Sequence, residues 1–160
     1  MRGNIIEKIE SELQIVIPED YKTFLNKGSF MIGGKSIKYG ENCDNVCYED
    51  KSNEDEDVLD FVAIQIFYGD IDSESSTCDL YKNNLIDFGK TRIPEDFITI
   101  GCDQVDDQIC LGVKGEYSGK VYLWEMEQEA DYGQPFPYYG NMTLITNSFQ
   151  EFLDGLFIDE

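Results

Sequence analysis

Three short apolar stretches, 97–100, 108–113 and 120–126, follow one another with only the turns 101–107 and 114–119 between them. A parallel pair of strands needs a crossover of about a dozen residues or more. Connections this short confine the segment to an antiparallel meander, and the rest of the chain has to be built around it.

Residues 4–14 carry Ile5, Ile6, Ile9 and Leu13 between charged neighbours, the pattern of a helix with one apolar stripe. Pro18 is expected at the first position of a second helix, with Glu19 and Asp20 in its first turn, Tyr21, Phe24 and Leu25 on its buried face, and Asn26-Lys27-Gly28 at its end. Residues 29–40 read as an irregular strand pair around Gly33-Gly34, and 58–68 as a buried strand. Residues 41–57 hold little apolar content beyond Val46 and Tyr48 and are expected to form a mobile acidic loop. A helix carrying Leu80, Leu85 and Phe88 is expected to start at Ser76. After a Pro-, Tyr- and Gly-rich loop at 130–141 comes a short strand at 142–145. Ser148-Phe149-Gln150-Glu151 then forms a capping box, and Phe149, Phe152, Leu153, Leu156 and Phe157 complete one helical face. Helices are not inserted regularly between strands. The expected fold is therefore a single α+β domain over 1–160, its largely antiparallel sheet backed by N-terminal, central and C-terminal helices.

The chain sets 33 Asp and Glu against 12 Lys and Arg, a formal charge of −21, and contains no histidine. Hydrophobic residues at 41% and aromatics at 13% separate it from acidic disordered tails, so the carboxylates must coat a folded body. Without histidine there is no Ser-His-Asp triad, no Cys-His dyad and no His-ligated metal. So acidic a surface does not replace the counterions of nucleic acid and is repelled by anionic membranes. It suits a partner with a basic face. The most apolar run is interrupted by Asp60 and Gln65, and Met1-Arg2-Gly3-Asn4 leads into Glu7 without an apolar leader. With five unpatterned cysteines, a reducing cytoplasmic location is expected.

The short motifs carry little chemistry. Gly34-Lys35-Ser36 lacks the glycine spacing of a phosphate loop, and Ser29 stands where that glycine would be. Asp70, Asp72 and Glu74 open like a calcium loop, but Ser75 and Tyr81 occupy the positions of its glycine and bidentate glutamate. A looser calcium site there, or at Asp103, Asp106 and Asp107, stays open. Cys43 and Cys47, and Cys102 and Cys110, have no zinc spacing; Cys110 reads as a buried apolar residue, and the first pair, in a polar loop, as exposed to reaction. Neither a metal nor a cofactor is expected. With 33 acids, close carboxylate pairs arise without catalysis, and no enzymatic role is expected.

Five segments taken together have a familiar order. Ile17-Pro18-Glu19-Asp20-Tyr21-Lys22-Thr23-Phe24-Leu25 resembles the "LP-x-dy-x-x-fL" opening of the SUKH superfamily, with Ile17 where leucine is usual. Ile93 to Gly101 is similar to its central strand, and Asp106 to Leu111 to its "gd-x-i-c-l" strand. Gly119 to Glu125 resembles its "G-x-V-y-x-W" strand, and Ser148 to Leu153 its closing "sF-x-eFl" helix. The resemblance runs from residue 5 to about 157. It implies a sheet backed by helices and a non-enzymatic role. Many bacterial members are immunity proteins that neutralise a cognate toxin, often a nuclease, and fungal relatives regulate cell-wall assembly through protein contacts.

Charge and resemblance together point to an immunity protein whose acidic surface occupies the basic cleft of a toxin, expected to be a nuclease. The alternative is a non-enzymatic regulatory scaffold. The expected contact groups are Glu54, Asp55, Glu56 and Asp57, then Asp70, Asp72 and Glu74, then Asp103, Asp106 and Asp107. Glu125, Glu127 and Asp131 would flank an aromatic anchor at Trp124 or Tyr132.

Overall fold

The computed structural model describes residues 4–51, 60–72, 76–88, 92–129 and 136–159. In chain order these residues form α1 (Ile5–Leu13), α2 (Glu19–Lys27), β1 (Ser29–Ile32), β2 (Lys35–Lys38), β3 (Val46–Glu49), β4 (Phe61–Phe67), α3 (Leu80–Lys82), β5 (Phe97–Asp103), β6 (Gln108–Gly112), β7 (Val121–Trp124), β8 (Met142–Thr146), α4 (Phe149–Asp154) and β9 (Phe157–Ile158). β1 and β2 make a separate hairpin. The other strands form a curled sheet in the order β8-β7-β6-β5-β4-β3-β9, with every neighbouring pair antiparallel. The fold is α+β, and the meander β5-β6-β7 lies at its centre, as the turn lengths require.

The helix ends follow local chemistry. The Asn4 side chain accepts from Ile6 N at 2.9 Å and Glu7 N at 3.2 Å, satisfying donors that the first turn leaves open. Gly28, at φ 74°, ends α2 in the left-handed conformation that glycine enters without penalty. Pro18 precedes α2 as its N-cap and is not its first helical residue; its carbonyl accepts from Lys22 N. In α4 the Ser148 hydroxyl caps Glu151 N at 3.1 Å.

The helical faces pack on the concave side of the sheet. Phe24 is central, with ring centroids 4.5 Å from Tyr39, 5.0 Å from Phe149, 5.1 Å from Phe30 and 5.6 Å from Phe67. Ile9, Ile17, Val46, Ile64, Ile98, Leu111, Val121 and Phe152 extend this core. A second, smaller core of Ile93, Phe97, Cys110 and Trp124 lies apart from it.

Three further expectations are corrected. Residues 41–57 are not one loop. β3 lies within them, held between β4 and β9, so Val46, Cys47 and Tyr48 are buried. The closing helix stops at Asp154, and Phe157 and Ile158 turn away to pair with Cys47 and Val46. Backbone groups of β3 that would otherwise lack partners receive them there, a demand that outweighs the helical spacing of two side chains. The central helix begins after Asp79, not at Ser76, and runs from α3 into a π-turn at Asn83–Asp87. In that turn the Asn84 side chain donates to Leu80 O and Thr99 O and accepts from Thr99 N, tying it to β5.

Candidate functional site

Strand alternation sets the geography of the carboxylates. β3, β5 and β7 run in one direction, so their C-terminal ends share one end of the sheet. Asp50 follows β3, Asp103 closes β5, Asp106 and Asp107 turn into β6, and Glu125 and Glu127 follow β7. Gln108 pairs in register with Trp124, so Asp107 and Glu125 leave the sheet side by side. The structure thus gathers Asp103, Asp106, Asp107, Glu125 and Glu127. Asp70 and Asp72 follow β4 at the other end; Asp70 lines a different cleft with Asn4, Leu25 and Tyr39. Glu54, Asp55, Glu56, Asp57, Glu74, Asp131 and Tyr132 lie outside the described residues.

Each gathered group is held differently. Asp103 is buried, and its Oδ1 accepts from Val105 N and Asp107 N, both at 3.0 Å, which builds the turn. Asp107 Oδ1 accepts from Met126 N at 2.9 Å and ties that turn to the end of β7. Asp106 sits at the tip, exposed, at φ 65°. Burial pushes the carboxyls of Asp103, Asp107 and Glu125 above their ordinary range, and neighbouring carboxylates push the same way: Asp107 and Asp106 on Asp103, Glu127 and Asp106 on Asp107, and Asp107, Asp50 and Asp103 on Glu125. The backbone donors of Val105 and Asp107 for Asp103, and of Met126 for Asp107, oppose this in part. Ionised at neutral pH, such a cluster stores repulsion that an arriving cation relieves.

Trp124 is corrected as an anchor. It is 1% exposed and packed inside the second core, with the Phe88 ring 5.9 Å away edge-on and the Arg92 guanidinium 5.5 Å from its centroid. Inward-facing positions of β7 bury whatever they carry, and an aromatic gains most from it. Arg92 itself is bound to both Glu129 carboxylate oxygens at 3.1 Å. Apolar groups that do reach solvent near the acidic end include Val105, Leu144 and Phe61, which is paired with Glu49 at the start of β4. Cys43 and Cys47 are buried, not exposed in a loop, and burial pushes the Cys43 thiol up to about 11 and raises Cys47 too, which removes thiolate character. Cys110 is fully buried, as its place in a strand requires.

Two residues of this end escaped the sequence reading, Tyr48 and Asp50, both assigned to the acidic loop. The available signal was Val46 and Tyr48 alternating in an otherwise polar stretch. Among the described residues no group of three or more Cys, Asp or Glu side chains is arranged to hold a metal ion.

The model of the SMI1 / KNR4 family (SUKH-1) matches residues 3–155, nearly the whole length. The chain belongs to that family. No curated protein and no solved structure matches it. The five quoted segments lie within the match; in this SUKH-1 chain Tyr21, Phe24, Ile98, Ile109, Leu111, Val121, Trp124, Phe149 and Phe152 from them are buried. The apolar positions of the family pattern therefore describe the interior; of the gathered carboxylates, Asp106, Asp107 and Glu125 fall within its segments, and Asp103 and Glu127 stand outside them. No helix among the described residues is long and apolar enough to cross a membrane.

Proposed function

We propose that this SUKH-1 protein is an immunity protein that binds a cognate bacterial toxin in the cytoplasm through the acidic end of its sheet, and that the toxin is a nuclease. The observation that carries the reading is the convergence of Asp103, Asp106, Asp107, Glu125 and Glu127 at one sheet end. A nuclease holds phosphates in a basic cleft, and a set of carboxylates gathered at one sheet end is complementary to such a cleft. Complementary charge accelerates capture, up to about 10⁸–10⁹ M⁻¹s⁻¹ at low salt, which matters when a toxin must be stopped before it cuts. The protein binds and does not catalyse.

The test is co-expression with any toxin domain found encoded beside this protein. Cells making both grow, and cells making the toxin domain alone do not. If the protein gives no protection, the reading is wrong.

A further inference from the structure

Inside the acidic end stands a phenol with nothing to bond to. Tyr48 is 4% exposed, and its hydroxyl has no hydrogen-bond partner. A buried polar atom left in this state is costly in a folded protein. The much larger cleft near Arg92 makes no such demand. In that cleft of about 440 Å³, the Tyr68 hydroxyl donates to Gln108 Oε1, Gln108 Nε2 to Asp106 O, and Asn83 Nδ2 to Thr77 O and Asp79 O.

Tyr48 lines a narrow recess, about 40 Å³, between β3 and the curled-over strands β7 and β8, together with Asp50, Lys51, Leu123, Glu125 and Ile145. Its hydroxyl lies within the field of four carboxylates, Asp103, Asp50, Asp107 and Glu125. The hydrogen bonds of Asp103 and Asp107 all fall on their Oδ1 atoms, so each Oδ2 retains its capacity to accept. Tyr48 meets α4 through Phe152, at 5.6 Å between ring centroids, which fixes the phenol's position.

We infer that this recess receives one cationic side chain of the partner, an arginine, whose guanidinium donates to the Tyr48 hydroxyl oxygen and to the carboxylates around it. The inference rests on the proposed function and names its central contact. Three features favour this occupant. The recess admits the head of one side chain and not a folded loop. Its apolar walls at Leu123 and Ile145 suit the stem of a long residue that buries its methylenes and keeps its charge among acceptors. A guanidinium also presents several donors in one plane, against several acceptors here. A metal ion would instead need three ligating side chains drawn together, an arrangement not found among the described residues.

The test has two arms. In the first, N-acetyl-arginine amide and a tetra-arginine peptide are titrated into the protein, with Tyr48 ring and Glu125 amide resonances observed by NMR. Both probes are expected to shift these resonances. Tyr48→Phe, which keeps the ring that packs on Phe152, is expected to weaken the tetra-arginine peptide about tenfold, the scale of one hydrogen bond to a charged group. Glu116→Gln, on the turn at the opposite sheet end, is expected to leave it unchanged. Equal binding by wild type and Tyr48→Phe, or equal loss in Glu116→Gln, overturns the inference. The second arm repeats the co-expression test with Tyr48→Phe. Wild type that protects while Tyr48→Phe protects much less supports the recess; equal protection by both overturns the recess while the immunity reading survives. Wild type that does not protect overturns the immunity reading, and the recess with it as a toxin contact.

Discussion

Two aromatic residues carry opposite lessons. Trp124, 1% exposed, holds the second core together, so Trp124→Ala is expected to destabilise the fold by about 3–5 kcal/mol, measured by urea unfolding. Tyr48 behaves differently, because its hydroxyl is buried without a partner. Tyr48→Phe removes an unsatisfied group and keeps the ring, so the free protein is expected to gain about 1 kcal/mol. Loss of stability in that variant would mean that the hydroxyl is satisfied in solution. Neither outcome was legible in the residues alone. An aromatic beside acidic turns reads as an anchor until the strand's inward face is known, and a tyrosine in a polar stretch reads as loop until β9 arrives to pair with it.

At the scale of elements, the turn lengths of the meander were a reliable guide because they are a steric limit. What escaped was set by distant partners. The pairing of β3 with β9 joins Val46 to Ile158 and Cys47 to Phe157 across most of the chain, and nothing local announces it. Gly101 shows the same dependence. It was expected to open a turn, yet it lies inside β5 beside a register shift, where an added Cβ would fall 2.6 Å from Ile66 O on β4. Gly101→Ala must spread these strands and is expected to cost about 1–3 kcal/mol, seen as a lower urea midpoint. The helix caps act locally and were correspondingly readable. Losing the bond from Glu151 N to the Ser148 hydroxyl in Ser148→Ala is expected to cost about 1 kcal/mol by the same measurement.

For the whole molecule, −21 is a charge with an address. The sequence shows the excess in turns; only the topology shows that the turns after β3, β5 and β7 meet, while Asp70 lies elsewhere. Raised carboxyls give this end a pH signature. Asp103, Asp107 and Glu125 titrate above their ordinary values of 3.8, 3.8 and 4.5. Their contribution to stability is complete below those values and is lost as pH rises through the higher folded ones. The free protein's Tm is therefore expected to rise as pH falls from 7 toward 4.5, and less so in Glu125→Gln. Affinity for a basic partner runs the other way and weakens over the same range, since the cation needs the ionised forms.

Stopped-flow association with the toxin domain, at increasing salt, tests the acidic end most directly. One variant carries Asp106→Asn, Glu125→Gln and Glu127→Gln; asparagine tolerates the left-handed backbone at position 106. A charge-matched control carries Glu7→Gln, Glu95→Gln and Glu116→Gln, on exposed positions away from that end. The first is expected to associate at least about tenfold more slowly at low salt and to lose most of the salt dependence, while the control stays near wild type. Equal slowing in both, or a wild-type rate that ignores salt, would contradict a partner surface at this end of the sheet.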